Sequence, residues 1–141
     1  MKDQETDHVL ELRTLQLSDY SEIKRIMENV YLDGIGGAWT KEQFKKLLSI
    51  FPDGQICVED KGKIAGFVLS IILDYSKLGD EHTYLQATGN DTFSTHTANG
   101  DVLYGVDICV DPNYRGMRIG RRLYDARKEI CEQLNLRSII A

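Results

Sequence analysis

No run of apolar residues in this sequence approaches the roughly 18 that a bilayer-spanning helix needs, so no such helix is expected. The amino terminus, MKDQETDH, is polar and lacks the pattern of a secretory leader. Positive charge is in deficit. Seventeen Lys and Arg stand against 22 Asp and Glu, a formal charge of −5, which argues against nucleic acid or an anionic membrane surface as partner. Cysteine is sparse: Cys57, Cys109 and Cys131 are odd in number, lie inside apolar segments and fit no zinc spacing. They read as reduced core thiols of a cytoplasmic protein. His82 and His96 have no third clustered ligand, so no metal is expected, and Ser94-Thr95-His96 lacks the spacing of a hydrolase triad. Neither G-x-G-x-x-G nor G-K-[ST] occurs, which removes the dinucleotide-fold and P-loop readings. What is present is 42% apolar and 28% charged, the balance of a single globular domain over residues 1–141.

Val9 to Leu17 alternates and predicts a first strand, with Ser18 as N-cap of a helix carrying Ile23, Ile26, Met27 and Val30 on one face. Asp33-Gly34-Ile35-Gly36-Gly37 is a break, either a plain helix-ending turn or a substrate-bordering loop. Thr40 and Gln43 form a capping box for a second helix that buries Phe44, Leu47 and Leu48 and stops at Phe51-Pro52. Trp39, just before that cap, packs as a structural staple or lines a pocket. Gln55–Glu59 and Lys63–Leu73 predict a hairpin turning at Asp60-Lys61-Gly62. The second of these strands is almost all apolar, hence central and covered on both faces, with Gly66 marking a bulge or close approach. Residues 75–101 form a long polar insertion with a short helix expected around Asp80 to Thr88.

The sharpest signal runs from Val102 to Leu134, VLYGVDICVDPNYRGMRIGRRLYDARKEICEQL. Leu103, Val106, Ile108 and Val110, with Asp107 and Cys109 between, predict a strand that Asp111-Pro112-Asn113 ends. Ile119, Leu123, Ala126, Ile130 and Leu134 then recur at helical spacing. At the junction, Arg115-Gly116-Met117-Arg118-Ile119-Gly120 meets the first turn of that helix, where amides lack internal partners and the dipole is positive. Glycine lets an anion approach the backbone. Between Tyr114 and Lys128 there are six basic residues, Arg115, Arg118, Arg121, Arg122, Arg127 and Lys128, against the single acid Asp125. A basic island at a helix start in an acidic chain fits a small polyphosphate.

This junction resembles the acyl-CoA-binding motif of the GNAT superfamily of N-acetyltransferases, Arg/Gln-x-x-Gly-x-Gly/Ala. Arg115 stands at its first position and Gly120 at its last; Arg118 replaces the middle glycine, so its side chain must point away from a bound phosphate. GGAWTKEQF, DGQICVED, FSTH and the run from Gly100 to Glu129 further resemble the acetyltransferase-like domain that precedes a carbon–nitrogen hydrolase (nitrilase-type) domain in bifunctional bacterial proteins. The resemblance implies an α/β (α+β) fold with a mixed, mostly antiparallel central sheet and helices on both faces. It also implies a chain ending after the start of its fifth strand, Leu136 to Ala141, before the family's last helix and strands.

The implied reaction is transfer of an acetyl group from acetyl-CoA to the amine of a small-molecule or peptide acceptor. Arg115, Gly116, Met117, Arg118, Ile119, Gly120 and Arg121 would bind the pyrophosphate, and a backbone amide among Ile108, Cys109 and Val110 would polarise the thioester carbonyl. Asp107 is the candidate base and Tyr104 a weaker one; the alternative for Asp107 is a strand acid satisfied by a backbone or arginine contact. Tyr124 does not match the position of the family's proton-donating tyrosine. The competing readings are a non-catalytic acyl-CoA-binding module of a hydrolase-containing protein and a bare interaction domain. An exposed apolar edge at Leu136–Ala141 invites strand pairing between two copies. Light scattering at high protein concentration is expected to report a dimer, and a monomer there overturns this expectation.

Overall fold

A computed structural model describes residues 8–30 and 38–140; the Asp33–Gly37 break lies outside the described residues. Five strands form one sheet in chain order: β1 (Leu10–Thr14), β2 (Ile56–Asp60), β3 (Lys63–Leu73), β4 (Val102–Val110) and β5 (Ser138–Ile140). The first three junctions are antiparallel and β4–β5 is parallel, joined by the crossover helix α5 (Ile119–Gln133). Helices α1 (Tyr20–Val30) and α2 (Lys41–Ile50) cover one face, together with the insertion, which holds two short helices, α3 (Tyr75–Leu78) and α4 (Tyr84–Thr88). Helix α5 covers the other face. The mixed, mostly antiparallel sheet with helices on both faces is the architecture the resemblance implied.

Each layer follows from side-chain period. On α1, Ile23, Ile26 and Met27 are fully buried, and on α2 Phe44 and Leu47 are. They pack on Phe67, Leu69, Ile71 and Leu73 of β3. On α5, Ile119, Leu123, Ala126 and Ile130 pack on Val58, Val68, Ile72 and Leu103; Leu134, expected on this face, is exposed. Strand β3 therefore has apolar partners above and below, and only its first residue, Lys63, is exposed. At roughly 1.5–3 kcal/mol for each fully buried large aliphatic, this double coverage is the main stabilising term.

Two expectations need correction. The helix at residue 20 does not start on Ser18. Gln16 and Asp19 form a reciprocal capping box around a 3-10 turn, Leu17–Asp19, that runs into α1. The β2–β3 turn has two residues, not three; Lys61 and Gly62 both have positive φ, as a primed turn requires. Thr40 caps α2 as expected, its hydroxyl accepting from the Gln43 amide at 3.1 Å.

The sheet carries two bulges. Val58 pairs with Gly66 and Glu59 with Ile64, leaving Ala65 as the extra residue. Leu69 pairs with Asp107 and Ser70 with Gly105, leaving Val106 extra in β4. Gly66 marks the first, and it is also a close approach: an added Cβ would stand 2.8 Å from Ile119 Cγ2 and 3.0 Å from the Cys109 carbonyl. Gly66→Ala is therefore expected to lower stability by about 1–3 kcal/mol through overpacking, measured as a reduced urea midpoint; an unchanged midpoint would show that α5 can retreat.

Candidate active site: the β4 edge and the mouth of α5

Strand β4 reaches its end pinned from two sides. The Asp111 amide donates to the Ala65 carbonyl at 2.8 Å, and its buried carboxylate accepts from the Asn113 amide at 3.0 Å and faces Arg25 Nη2 at 3.3 Å. Pro112–Tyr114 then makes a 3-10 turn. Tyr114 is buried and donates its hydroxyl to Asp60 Oδ2 at 2.7 Å, tying the turn to the end of β2. His8 Nδ1 lies at 2.7 Å from the same oxygen, and the Val9 amide donates to Oδ1 at 3.0 Å.

Beyond this anchor the backbone opens. Gly116 has φ +85° and Arg118 φ +60°. The position where the sequence carries arginine in place of glycine thus takes the left-handed conformation that glycine adopts freely and other residues at a cost of about 1–2 kcal/mol. Helix α5 starts at Ile119. Arg122 N–H donates to the Arg118 carbonyl at 3.1 Å, the first bond of the helix. Among the described residues the amides of Ile119, Gly120 and Arg121 meet no acceptor. Apart from chain neighbours and the helix's own backbone, no atom of the described residues lies within 4 Å of a Cβ built on Gly116 or Gly120, so the space beside both is open. Arg115, Arg118, Arg121 and Arg122 are exposed around it. Arg121 has an exposed contact with Asp125 at 3.4 Å, a pair that holds little energy in water. Met117 is half-buried and packs against the α5-side core. Of the six basic residues, Arg127 does not belong to this surface: it is buried beneath the sheet.

The other half of the site is the edge of β4. Strand β5 pairs with Val102–Tyr104 only, so among the described residues Gly105–Val110 have no strand on that side. Since Asp111 N–H points to β3, the two-residue period turns the Cys109 amide the same way and the Ile108 and Val110 amides toward the open edge. Ile108 is 45% exposed, whereas Cys109 is buried on the α1/α2 face. The Ile108 amide is engaged, donating to Asp107 Oδ1 at 2.8 Å. Asp107 is half-buried, and its other oxygen accepts from Trp39 Nε1 at 3.0 Å. Trp39 itself packs on Phe93 and Tyr84, with centroids at 5.3 and 6.5 Å.

Tyr104 is 2% exposed, and burial raises its pKa, so its phenol stays protonated at neutral pH. Its ring meets His82 and Tyr84. Tyr84, from the insertion, donates to the Val106 carbonyl at 3.0 Å, so residues 75–101 reach the bulge directly. Burial, then the neighbouring Asp107, pushes the Tyr84 phenol upward. His96 is a structural acceptor, taking the Ile72 amide at 3.0 Å while stacked on Phe51. Sequence reasoning passed over Trp39 as the partner of Asp107, Tyr84, and Gly105; a glycine inside a strand was the available signal for the last.

The described residues hold no group of three His, Cys, Asp or Glu side chains placed to bind a metal, and none of their helices is long and apolar enough to cross a membrane.

The family model described as Acetyltransferase (GNAT) family matches residues 15–141. The chain belongs to the GNAT acetyltransferase family. Among curated GNAT relatives, the uncharacterized N-acetyltransferase YkwB of Bacillus subtilis is 31% identical over 102 residues, 72% of this chain and 45% of that protein. The probable hydrolase YhcX of the same organism is 39% identical over 102 residues, again 72% of this chain but only 20% of that protein. The chain thus spans less than half the length of either relative. Among solved structures, the loading GNATL domain of CurA from Lyngbya majuscula shares the fold with a TM-score of 0.73 at 22% identity, over 89% of this chain and 59% of that one. The GphF GNAT-like decarboxylase in complex with isobutyryl-CoA gives 0.69 at 16% identity, over 82% and 55%.

The Tyr114 anchor of the GNAT loop is pH-sensitive. Hydrogen bonds from His8 and then Tyr114 hold the Asp60 carboxyl at about 2, below its ordinary 3.8. A depressed carboxyl stabilises the fold fully above its unfolded value and loses that contribution as pH falls from about 4 through about 2. Asp60→Asn is expected to lower the melting temperature at pH 7 and to flatten its decline between pH 4 and 2. A decline as steep as in the unaltered chain would remove Asp60 from the acid limb.

Proposed function

We propose that this chain binds acyl-CoA across the mouth of α5 and the open edge of β4 and transfers an acetyl group from acetyl-CoA to an amine. The observation that carries the reading is the α5 mouth itself. Three amides of Ile119, Gly120 and Arg121 lack acceptors, the space beside Gly116 and Gly120 is empty, and four arginines stand around it. This is the chemistry a diphosphate needs, and the Arg118 side chain, on a left-handed backbone, is exposed. The pantetheine arm would run along β4, where the amides of Ile108 and Val110 face outward. In the reaction the amine lone pair attacks the thioester carbon, the C–S bond breaks, the amine proton passes to a base and the CoA sulfur leaves as thiolate. Asp107 is the carboxylate on this edge that can take the proton. Tyr104 stays protonated, which suits a donor better than a base.

A second reading, a non-catalytic acyl-CoA-binding module, is favoured by one contact. The Ile108 amide, the donor best placed for a thioester oxygen, is occupied by Asp107 Oδ1. An oxyanion donor contributes roughly 3 kcal/mol, and a hydrogen bond to a charged group is worth about 1.5–3 kcal/mol. The two are close enough that turnover depends on Asp107 letting go. The hydrolase in the printed name of YhcX, of which this chain spans 20%, supports an attached carbon–nitrogen hydrolase domain as part of the proposal. Self-association through the β5 edge is another part.

Calorimetry with CoA is expected to show saturable binding. Arg118→Ala and Arg121→Ala should each weaken it about 5–10-fold at low salt, and less at 0.5 M salt as screening grows. An absence of heat with CoA would sink both readings. With binding established, Asp107→Asn separates them by CoA release from acetyl-CoA across an amine panel. A fall of at least tenfold at unchanged CoA affinity is expected for the enzyme; release that is negligible in both forms leaves the module.

A further inference from the structure

Arg127 is the inward-facing arginine of α5, 6% exposed, and among the described residues no carboxylate hydrogen-bonds its guanidinium. Its Nε donates to Ser70 Oγ at 3.1 Å, and its Nη2 donates to the carbonyls of Leu69 and Asp107, both at 2.8 Å. Those carbonyls flank the Val106 bulge. Burial lowers the Arg127 pKa to about 10, the mark of a cation held where solvent is scarce. Taking a guanidinium out of water carries a large penalty, and an apolar side chain at this point on α5 would have joined Leu123 and Ile130 in the core without it. Gly105 makes the insertion possible: a Cβ there would stand 2.8 Å from Arg127 Nη1.

The bulge sets the phase of everything that follows in β4. Tyr104, Val106 and Cys109 lie in the α1/α2-side core and Leu103 in the α5-side core. Asp107 faces Trp39, on the same side as its neighbour Val106, because the extra residue puts two successive side chains on one face. Were Val106 instead paired as a regular ladder residue, strict alternation would turn Asp107 toward α5 and rotate the Ile108 amide toward β3. The geometry points to Arg127 as the positioning residue of the transfer site: by holding the Leu69 and Asp107 carbonyls it keeps Val106 extruded, Asp107 beside Trp39 and the Ile108 amide on the open edge. This deepens the acyl-transfer reading and rests on it.

The test compares the unaltered chain with Arg127→Met, Gly105→Ala, the double variant and a core control, Ile130→Val. Three readouts are used: the amide NMR signals of Asp107 and Ile108, CoA affinity by calorimetry, and CoA release from acetyl-CoA. Arg127→Met and Gly105→Ala are each expected to shift the Asp107 and Ile108 signals and speed their hydrogen exchange. CoA affinity should fall by no more than tenfold, because the diphosphate contacts at the α5 mouth are untouched and only the pantetheine arm meets β4, while release falls 30-fold or more. The double variant should be no worse than the poorer single one, since both remove the same contact. Ile130→Val should leave the two amide signals in place. If Arg127→Met fails to fold, Gly105→Ala alone decides. Unmoved Asp107 and Ile108 signals overturn the proposal. So does equal loss of CoA affinity and release, which would mark a merely structural arginine. If the unaltered chain neither binds nor turns over CoA, the functional reading falls, yet the amide signals still decide whether Arg127 sets the phase of β4.

Discussion

One extra residue in β4 governs how the rest of this molecule is used. A strand exposes alternate side chains to opposite faces, so taking up Val106 as a bulge rather than as a ladder residue exchanges the faces of all residues downstream. The acid of the strand is thereby delivered to the side where Trp39 and the insertion lie, and the hydrophobic Ile108 to the side past the end of the α5 core. The two carbonyls at the bulge are held by a guanidinium from the opposite layer. Sheet, crossover helix and candidate chemistry are therefore coupled through one point rather than stacked independently.

Electrostatics divides α5 along its length. Its first turn presents unpaired amides and exposed arginines to solvent, where salt screening is strong and desolvation small. Two turns later the same helix carries a buried arginine that meets neutral oxygens instead of a carboxylate. The first arrangement suits a ligand that arrives and leaves. The second suits a contact that persists in the folded state. Upstream of both, Tyr114 and Asp111 fix the turn to β2 and α1, so a load on the loop is carried by the sheet.

Much of this was legible in the residues. The apolar periods of α1, α2 and α5, the Thr40–Gln43 box and the almost wholly apolar run of β3 each set a local structure that tertiary packing retained. Gly66 signalled both of its roles in advance. The phase of β4 was not legible, because a bulge breaks the period from which faces are inferred; Val106, Ile108 and Val110 look like one stripe and are not. Arg127 was indistinguishable from the surface arginines by spacing alone, since its position follows from where a guanidinium can reach in three dimensions. Of the two short helices of the insertion, α4 lies within the expected Asp80–Thr88 span; α3 and the approach of Tyr84 to Val106 lie in a polar segment without periodicity, where long-range contacts decide the path. At Arg118 the sequence departs from its family while the backbone keeps the glycine-like conformation, so the motif's geometry outlasts its composition.

The three cysteines form no disulfide and are buried, and burial pushes the Cys57 thiol up to about 12 and raises that of Cys131 as well. A thiol in that state has almost no thiolate at neutral pH and little contact with reagent. A sulfhydryl-reactive dye mixed with the folded chain would therefore stay dark until the coenzyme's own sulfur is set free. The protein is in this sense optically silent toward the proposed transfer, and unfolding would announce itself as a burst of label on the chain.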